Sequence, residues 1–241
     1  VIDLHCHIMP GLDDGPSTLK ESINMARIAS EDGISMVVAT PHNRDLAGKN
    51  LSGQFPYMVQ QFNRTLEAQS IPVKVLYGME NHIEMDIVEQ LGSGQALTIE
   101  GTNFMLIELP FEFVPVYTNQ IITELFDNGI TPIIVHPERN AGIQLEIGLL
   151  EELVSRGCLV QVSAGSIDGI HDELIQNCAR DLILKDLVHV ISTDAHSDKG
   201  NRVPKLSHVV KRVADMIGSE SASNMVTGTP FSIVNNKMLG R

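Results

Sequence analysis

The sequence predicts an α/β fold, a distorted seven-stranded β/α barrel with its site at the carboxyl ends of the strands. Seven short β-branched runs alternate with longer segments of helical period, the mark of a parallel sheet with helices outside it. Nearly every run is followed by a histidine or a carboxylate. Polar groups at the carboxyl ends of parallel strands converge on one point only if those ends form a ring, and an open sheet would spread them along a line.

The first run, Val1–Leu4, leads into His5 and His7, and then into the acidic turn Asp13-Asp14-Gly15. Thr18 and Glu21 have the capping-box spacing that starts a helix, and Gly33 supplies its C-terminal stop. Ser35–Ala39 follows and ends near His42. The stretch Asn43–Gln54, rich in Gly, Asn and Ser, reads as the one long loop. Phe55, Met58, Val59, Phe62 and Leu66 have the spacing of a buried helix face before the third run, Val73–Tyr77, and Glu80. Phe104–Ile107 precedes Glu108, and Pro132–Val135, after Gly129, precedes His136. Leu159–Val162 follows Gly157 and is the run with no such group after it. Val188–Ser192 leads to Asp194 and His196, and Val209, Val210, Val213, Met216 and Ile217 outline a last helix.

A chain of 241 residues with 43% hydrophobic content suits a single domain over 1–241 with a sizeable core. Thirty acidic against 17 basic residues give a formal charge of −13, a field that repels nucleic acid and anionic membranes. No apolar run is long enough to span a bilayer, and no signal-peptide pattern is present. Cys6, Cys158 and Cys178 lie within apolar patterns and read as buried free thiols, which predicts a reducing, cytoplasmic setting.

Residues two apart on a strand share a face, so His5 and His7 can grip one ion while Cys6 points away, and Asp194 pairs with His196 in the same way. A lone His-x-His, or one Glu at a strand end, is usually ordinary structure. Here the candidates recur across separate units: His5, His7, His42, His136 and His196 with Asp14, Glu80, Glu108 and Asp194. Such a set exceeds what one ion can hold and implies two or three divalent metals sharing bridging carboxylates. Nitrogen and oxygen donors without thiolate fit manganese, iron or zinc. His82, His171, His189 and His208 fall outside the pattern and read as surface or structural.

The segments "DLHCHIMPGLDDGP", "ATPH", "GMEN", "LIELP", "HPERN" and "STDAH" together resemble the polymerase and histidinol phosphatase (PHP) superfamily. More closely they resemble its bacterial manganese-dependent protein tyrosine phosphatases of the CpsB/YwqE type, linked to capsular or exopolysaccharide synthesis. The resemblance runs from Ile2 to about Val234. It implies a trinuclear centre on the carboxyl face of a distorted barrel, with the nine residues above as metal ligands. It also implies a phosphotyrosine protein as substrate, in particular a bacterial tyrosine kinase of polysaccharide assembly. Some members carry two consecutive arginines after the histidine matching His42, where this chain reads His42-Asn43-Arg44.

Clustered divalent ions activate a water and clamp phosphoryl charge, so in-line hydrolysis without a phosphoenzyme is expected. Arg139 and Arg202, in loops after His136 and His196, suit the remaining phosphate oxygens, with Arg44 as a third candidate. Asp194, His196 or a metal-bound water would protonate the leaving group. A cysteine phosphatase needs Cys-x5-Arg, and the residues six after the three cysteines are Leu12, Ala164 and Leu184. Phe111, Phe113 and Tyr117 follow Glu108 and either receive a tyrosine ring or pack into the core, the commoner fate. The competing readings are a phosphatase acting on histidinol phosphate or another small molecule, a metal-dependent exonuclease disfavoured by the acidic charge, and a catalytically idle metal-binding regulator. The sequence leaves room for a homo-oligomer without demanding one.

Overall fold

The computed structural model describes residues 1–49 and 51–237. Eight strands occur among them: β1 (Ile2–Cys6), β2 (Met36–Ala39), β3 (Lys74–Tyr77), β4 (Glu80–His82), β5 (Phe104–Glu108), β6 (Thr131–Val135), β7 (Leu159–Ser163) and β8 (Val190–Ser192). All seven expected runs form strands, and all strand pairs are parallel. The eighth, β4, is polar at both ends and carries no β-branched pattern, so nothing in its composition marked it as a strand.

Among the described residues the strands do not pair continuously around a seven-stranded barrel. The strands make a three-stranded sheet, β1-β2-β3, and a five-stranded sheet, β4-β5-β6-β7-β8. The two meet through isolated parallel bridges, Cys6 to Ala195 and His42 to Glu80, instead of continuous ladders. Both sheets nevertheless bury a common apolar cluster, to which Leu4, Val38, Leu76, Leu106, Ile133 and Val190 contribute from different strands. A larger cluster lies between the strands and the helices, with Met25, Phe55, Phe62, Leu125, Leu182 and Val209 among its members.

The helix Leu19–Glu31 starts as its sequence predicts. Thr18 Oγ1 accepts from Glu21 N at 3.3 Å and Glu21 Oε2 accepts from Thr18 N at 2.9 Å, a cap worth about 1 kcal/mol. Gly33 follows its end at φ +86°, the left-handed geometry that favours glycine there. The expected helix faces appear as Phe55–Ala68 and Ser207–Ile217. The expected loop Asn43–Gln54 is instead a short helix, Asn43–Gly48, and a 3-10 turn, Ser52–Gln54, with Asn50 outside the described residues. Leu46 and Phe55 are fully buried and anchor this segment, which outweighs its loop-like composition. No helix among the described residues is long and apolar enough to cross a membrane.

A β-bulge decides where the first histidines point. β1 pairs with β2 at Ile2–Met36, Asp3–Val37 and Cys6–Ala39, with a register shift between Asp3 and Cys6. Strict alternation would keep residues 2, 4 and 6 on one face. Here Ile2 and Leu4 lie in the small inner cluster while Cys6 lies in the large outer one. The bulge has switched the phase and turned His5 and His7 towards the strand ends.

A candidate metal centre at the strand ends

The backbone ties the strand ends together sideways. Asp194 N donates to His5 O at 2.9 Å, His7 N to Ala195 O at 2.9 Å, Thr40 N to Cys6 O at 3.0 Å and Glu80 N to Pro41 O at 3.1 Å. Two non-glycine residues adopt left-handed backbone here, His136 at φ +34° and Asp194 at φ +50°. Such conformations cost about 1–2 kcal/mol each and persist only where their surroundings hold them. His136 N donates to Gln161 O at 2.8 Å, which fixes one of the two.

Glu80, fully buried on β4, is the hub. Its carboxylate lies 2.6 Å from His136 Nε2, 2.9 Å from His42 Nδ1, 3.3 Å from His7 Nε2 and 3.4 Å from His5 Nε2. Asp194 Oδ1 lies 3.6 Å from His5, His7 and His196 ring nitrogens. Asp14 Oδ1 reaches His196 Nε2 at 3.1 Å and His42 Nε2 at 3.5 Å from a more exposed turn. Glu108 joins at the edge, its Oε1 3.9 Å from His136 Nε2. Donor atoms of three overlapping sets each fall within 4.8 Å of one another: His7, Asp14, His42 and His196; His5, His7 and Glu80; and His42, Glu80 and Glu108. All nine residues singled out in the sequence therefore lie in one cluster.

The donor chemistry fits divalent cations. His5 Nε2 and His7 Nε2 face each other at 3.2 Å, and two imidazole lone pairs at that distance repel unless a proton or a cation lies between them. Every donor is an imidazole nitrogen or a carboxylate oxygen, while the buried Cys6 thiol turns to the Ala195 carbonyl. Burial pushes that thiol well above its ordinary range. Burial alone would lower the His7 and His42 imidazoliums. For His7, hydrogen bonds to Asp13 and Glu80 reverse this and hold it at about 10; for His42, Asp14 and Glu80 hold it at about 11. Burial would raise Glu80 and Asp194, but the surrounding imidazoles, His5 foremost, pull both below the usual carboxylate range. The site is a dense alternation of imidazoles and carboxylates.

Two of the three candidate arginines reach this cluster. Arg139 Nη1 donates to Asp194 Oδ2 at 3.0 Å, and its guanidinium lies 4.6 Å above the Phe111 ring. Arg202 Nη2 lies 3.7 Å from Asp194 Oδ1 and 2.6 Å from His196 Nδ1. Arg44 is not brought in: its guanidinium pairs with Glu84 at 2.6 Å on the outer side of the short helix Asn43–Gly48. The neighbouring Asn43 is buried and accepts from His82 N. Phe111 and Phe113 stand exposed instead of packing into the core, whereas Tyr117 is partly buried against it.

Several supporting residues escaped the sequence reading. Asp13 Oδ2 takes His7 Nδ1 at 2.6 Å, Gln161 Oε1 takes His5 Nδ1 at 3.0 Å, and His82 Nδ1 faces Glu108 Oε2 at 3.3 Å. Such partners fix the tautomer and aim of a ligating imidazole. Glu138, fully buried, accepts from Ser163 N at 3.0 Å and pins the Pro137–Arg139 turn to β7. Asp3, buried beneath the site, accepts from Thr193 N at 2.9 Å, and burial raises it to about 6. Asp13 and Glu138 carried a signal, because each stands inside a quoted motif. Asp3 opens the first of those motifs and carried the same signal, whereas Gln161 carried none beyond a polar residue within an apolar strand.

The model of the family described as "Capsular polysaccharide synthesis, CpsB/CapC" matches residues 1–235. The chain belongs to the CpsB/CapC family. Its relatives include the tyrosine-protein phosphatase YwqE of Bacillus subtilis, 37% identical over 199 residues that cover 83% of this chain and 78% of the relative. The putative tyrosine-protein phosphatase CapC of Staphylococcus aureus is 32% identical over 197 residues, 82% of this chain and 77% of the relative. A solved structure from work on YwqE of Bacillus subtilis and CpsB of Streptococcus pneumoniae, described as metal-dependent tyrosine phosphatases, superposes with a TM-score of 0.94. That match has 34% identity and covers 100% of this chain and 97% of the other. The resemblance seen in the motifs thus extends over the whole CpsB/CapC fold of this chain.

Proposed function

We propose that this chain is a metal-dependent protein tyrosine phosphatase acting on a phosphotyrosine protein, specifically a bacterial tyrosine kinase of capsular or exopolysaccharide assembly. The observation that carries the reading is the convergence of nine nitrogen- and oxygen-donor residues in one cluster, with two guanidinium groups both placed on its Asp194. The family's description and the names of its relatives supply the substrate class. The two bridged sheets are read as the distorted barrel of this family, and the cytoplasm as its place of work.

His5, His7, Asp14, His42, Glu80, Glu108 and His196, joined by His136 through Glu80 and by Asp194 through His5, would hold two or three divalent ions, manganese first, with iron or zinc also compatible. Such ions lower the pKa of a bound water and neutralise phosphoryl charge. The chain's own groups do the rest. Arg139 and Arg202 present planar guanidinium forks to the phosphoryl oxygens, a geometry a lysine cannot match. Asp194 lies within reach of both arginines and His196 within reach of Arg202, and one of the two would hold the proton that the leaving phenolate takes up. A phenolate with a conjugate pKa near ~10 needs less of that help than an alkoxide. None of the three cysteines has the Cys-x5-Arg context of a thiol nucleophile.

The test is phosphate release by manganese-loaded protein offered a phosphotyrosine peptide and histidinol phosphate side by side, with chelator-treated controls. Chelator-sensitive release mainly from the peptide is expected. Release mainly from histidinol phosphate would move the chain to a small-molecule role, and release from neither would leave a non-catalytic regulator.

A further inference from the structure

We infer that Phe111 is a specificity-determining residue, the surface on which the phenyl ring of a phosphotyrosyl substrate stacks while its phosphate sits at the metal cluster. This rests on the phosphatase reading above.

Phe111 is a large apolar side chain left 42% exposed on a chain segment that borders a highly charged site. A single exposed hydrophobic side chain is ordinary surface; what sets Phe111 apart is that its ring lies against the site. Its ring centroid lies 5.9 Å from that of His136, a proposed metal ligand, with the planes tilted by 49°. A phosphate held beside His136 and Arg139 therefore brings its ester substituent alongside Phe111. Phe113, 56% exposed, lies two residues further along the same segment.

The platform is built, not incidental. Asn140, buried next to Arg139, donates from Nδ2 to Pro110 O at 2.5 Å and to Phe113 O at 2.9 Å, while Ala141 N donates to Phe111 O at 2.7 Å. Asn140 Oδ1 meanwhile accepts from Ile143 N at 2.9 Å and caps the next helix. One asparagine thus locks the aromatic segment to the turn that carries His136 and Arg139. The Arg139 guanidinium sits over the Phe111 ring and still reaches Asp194. Aromatic ring and phosphate-binding arginine are held in fixed register, the distance relation that an aryl phosphate satisfies and a short alkyl phosphate does not.

The variants Phe111→Leu and Phe111→Trp separate this role from a structural one. With phenyl phosphate or a phosphotyrosine peptide, Phe111→Leu should raise KM by about 3- to 10-fold. Phe111→Trp should restore it. The inhibition constant of inorganic phosphate, which reaches metals and arginines but has no ring, should move less than 2-fold. A comparable rise in that constant would mean that Phe111 acts only by propping Arg139, and the inference falls. It also falls if wild type turns over phosphotyrosine and Phe111→Leu has the same KM. Should wild-type protein fail on phosphotyrosine altogether, the phosphatase reading falls first and takes the inference with it.

Discussion

Removing the carboxylate of Asp13 tests whether the cluster is held by its supporting shell as well as by its ligands. Asp13 Oδ2 lies 2.6 Å from His7 Nδ1 and 3.3 Å from His42 N, and Oδ1 accepts from Gly15 N at 2.9 Å. The first contact is short and charge-assisted, a class worth about 1.5–3 kcal/mol. When the ring is neutral, as a metal ligand must be, this contact keeps the His7 proton on Nδ1 and leaves the Nε2 lone pair for an ion. In Asp13→Ala the ring loses both its tautomer bias and its fixed orientation. Loss of such a partner lowers metal affinity by about 10- to 100-fold, which is roughly 1.4–2.7 kcal/mol and agrees with the contact energy. Asp13→Asn retains an acceptor oxygen without the charge and should fall between the two. Manganese affinity is measured by competition with a fluorescent chelator, with thermal unfolding in excess chelator as the control for folding. If Asp13→Ala binds manganese within a factor of two of wild type while remaining folded, the supporting role of this carboxylate is wrong.

The remaining predictions concern the turn, the thiols and a buried acid. A Cβ at Gly15 would lie 2.5 Å from His7 O and 3.1 Å from His7 Cβ, so Gly15→Ala must displace the turn carrying Asp13 and Asp14. It should cost about 1–3 kcal/mol of stability and weaken manganese binding, read by thermal melts and metal titration; unchanged values in both would show that the turn yields freely. Cys6, Cys158 and Cys178 are buried with pKa values pushed up, the last two to about 12. Iodoacetamide at pH 8 should therefore leave phosphate release intact and label the protein only after unfolding, by mass spectrometry; rapid labelling with loss of activity would contradict this. For Asp3, burial raises the folded-state value from 3.8 to about 6. As pH rises through that window the unfolded state loses its proton first, so stability falls with pH, by about 3 kcal/mol in total. Asp3→Asn should flatten that slope in denaturant titrations between pH 4 and 7, and an equal slope in both proteins would refute the assignment.

The strands were legible because each carries its own signal. Runs such as Pro132–Val135 or Leu159–Val162 combine β-branched residues with a glycine stop before them, and both are local properties. The donors were legible because they recur at the ends of separate strands, where any one alone would read as ordinary structure. β4 was not, since Glu80–His82 is a strand only by virtue of its parallel pairing with Leu106, Ile107 and Glu108. The Asn43–Gly48 helix was missed because burial of Leu46 overrides a composition typical of loops.

The sequence by itself determined the parallel α/β architecture, the identity of the clustered histidines and carboxylates, and the absence of a Cys-x5-Arg nucleophile. Only the tertiary structure decided how they are aimed. The bulge in β1 turns His5 and His7 towards the centre, Asp13 and Gln161 fix their rings, and Glu84 draws Arg44 away while Asp194 draws Arg139 in. Residue type and spacing are local quantities written along the chain. Side-chain direction depends on partners as far off as Gln161 is from His5, 156 positions along the chain, and those partners become neighbours only when the sheets and helices pack.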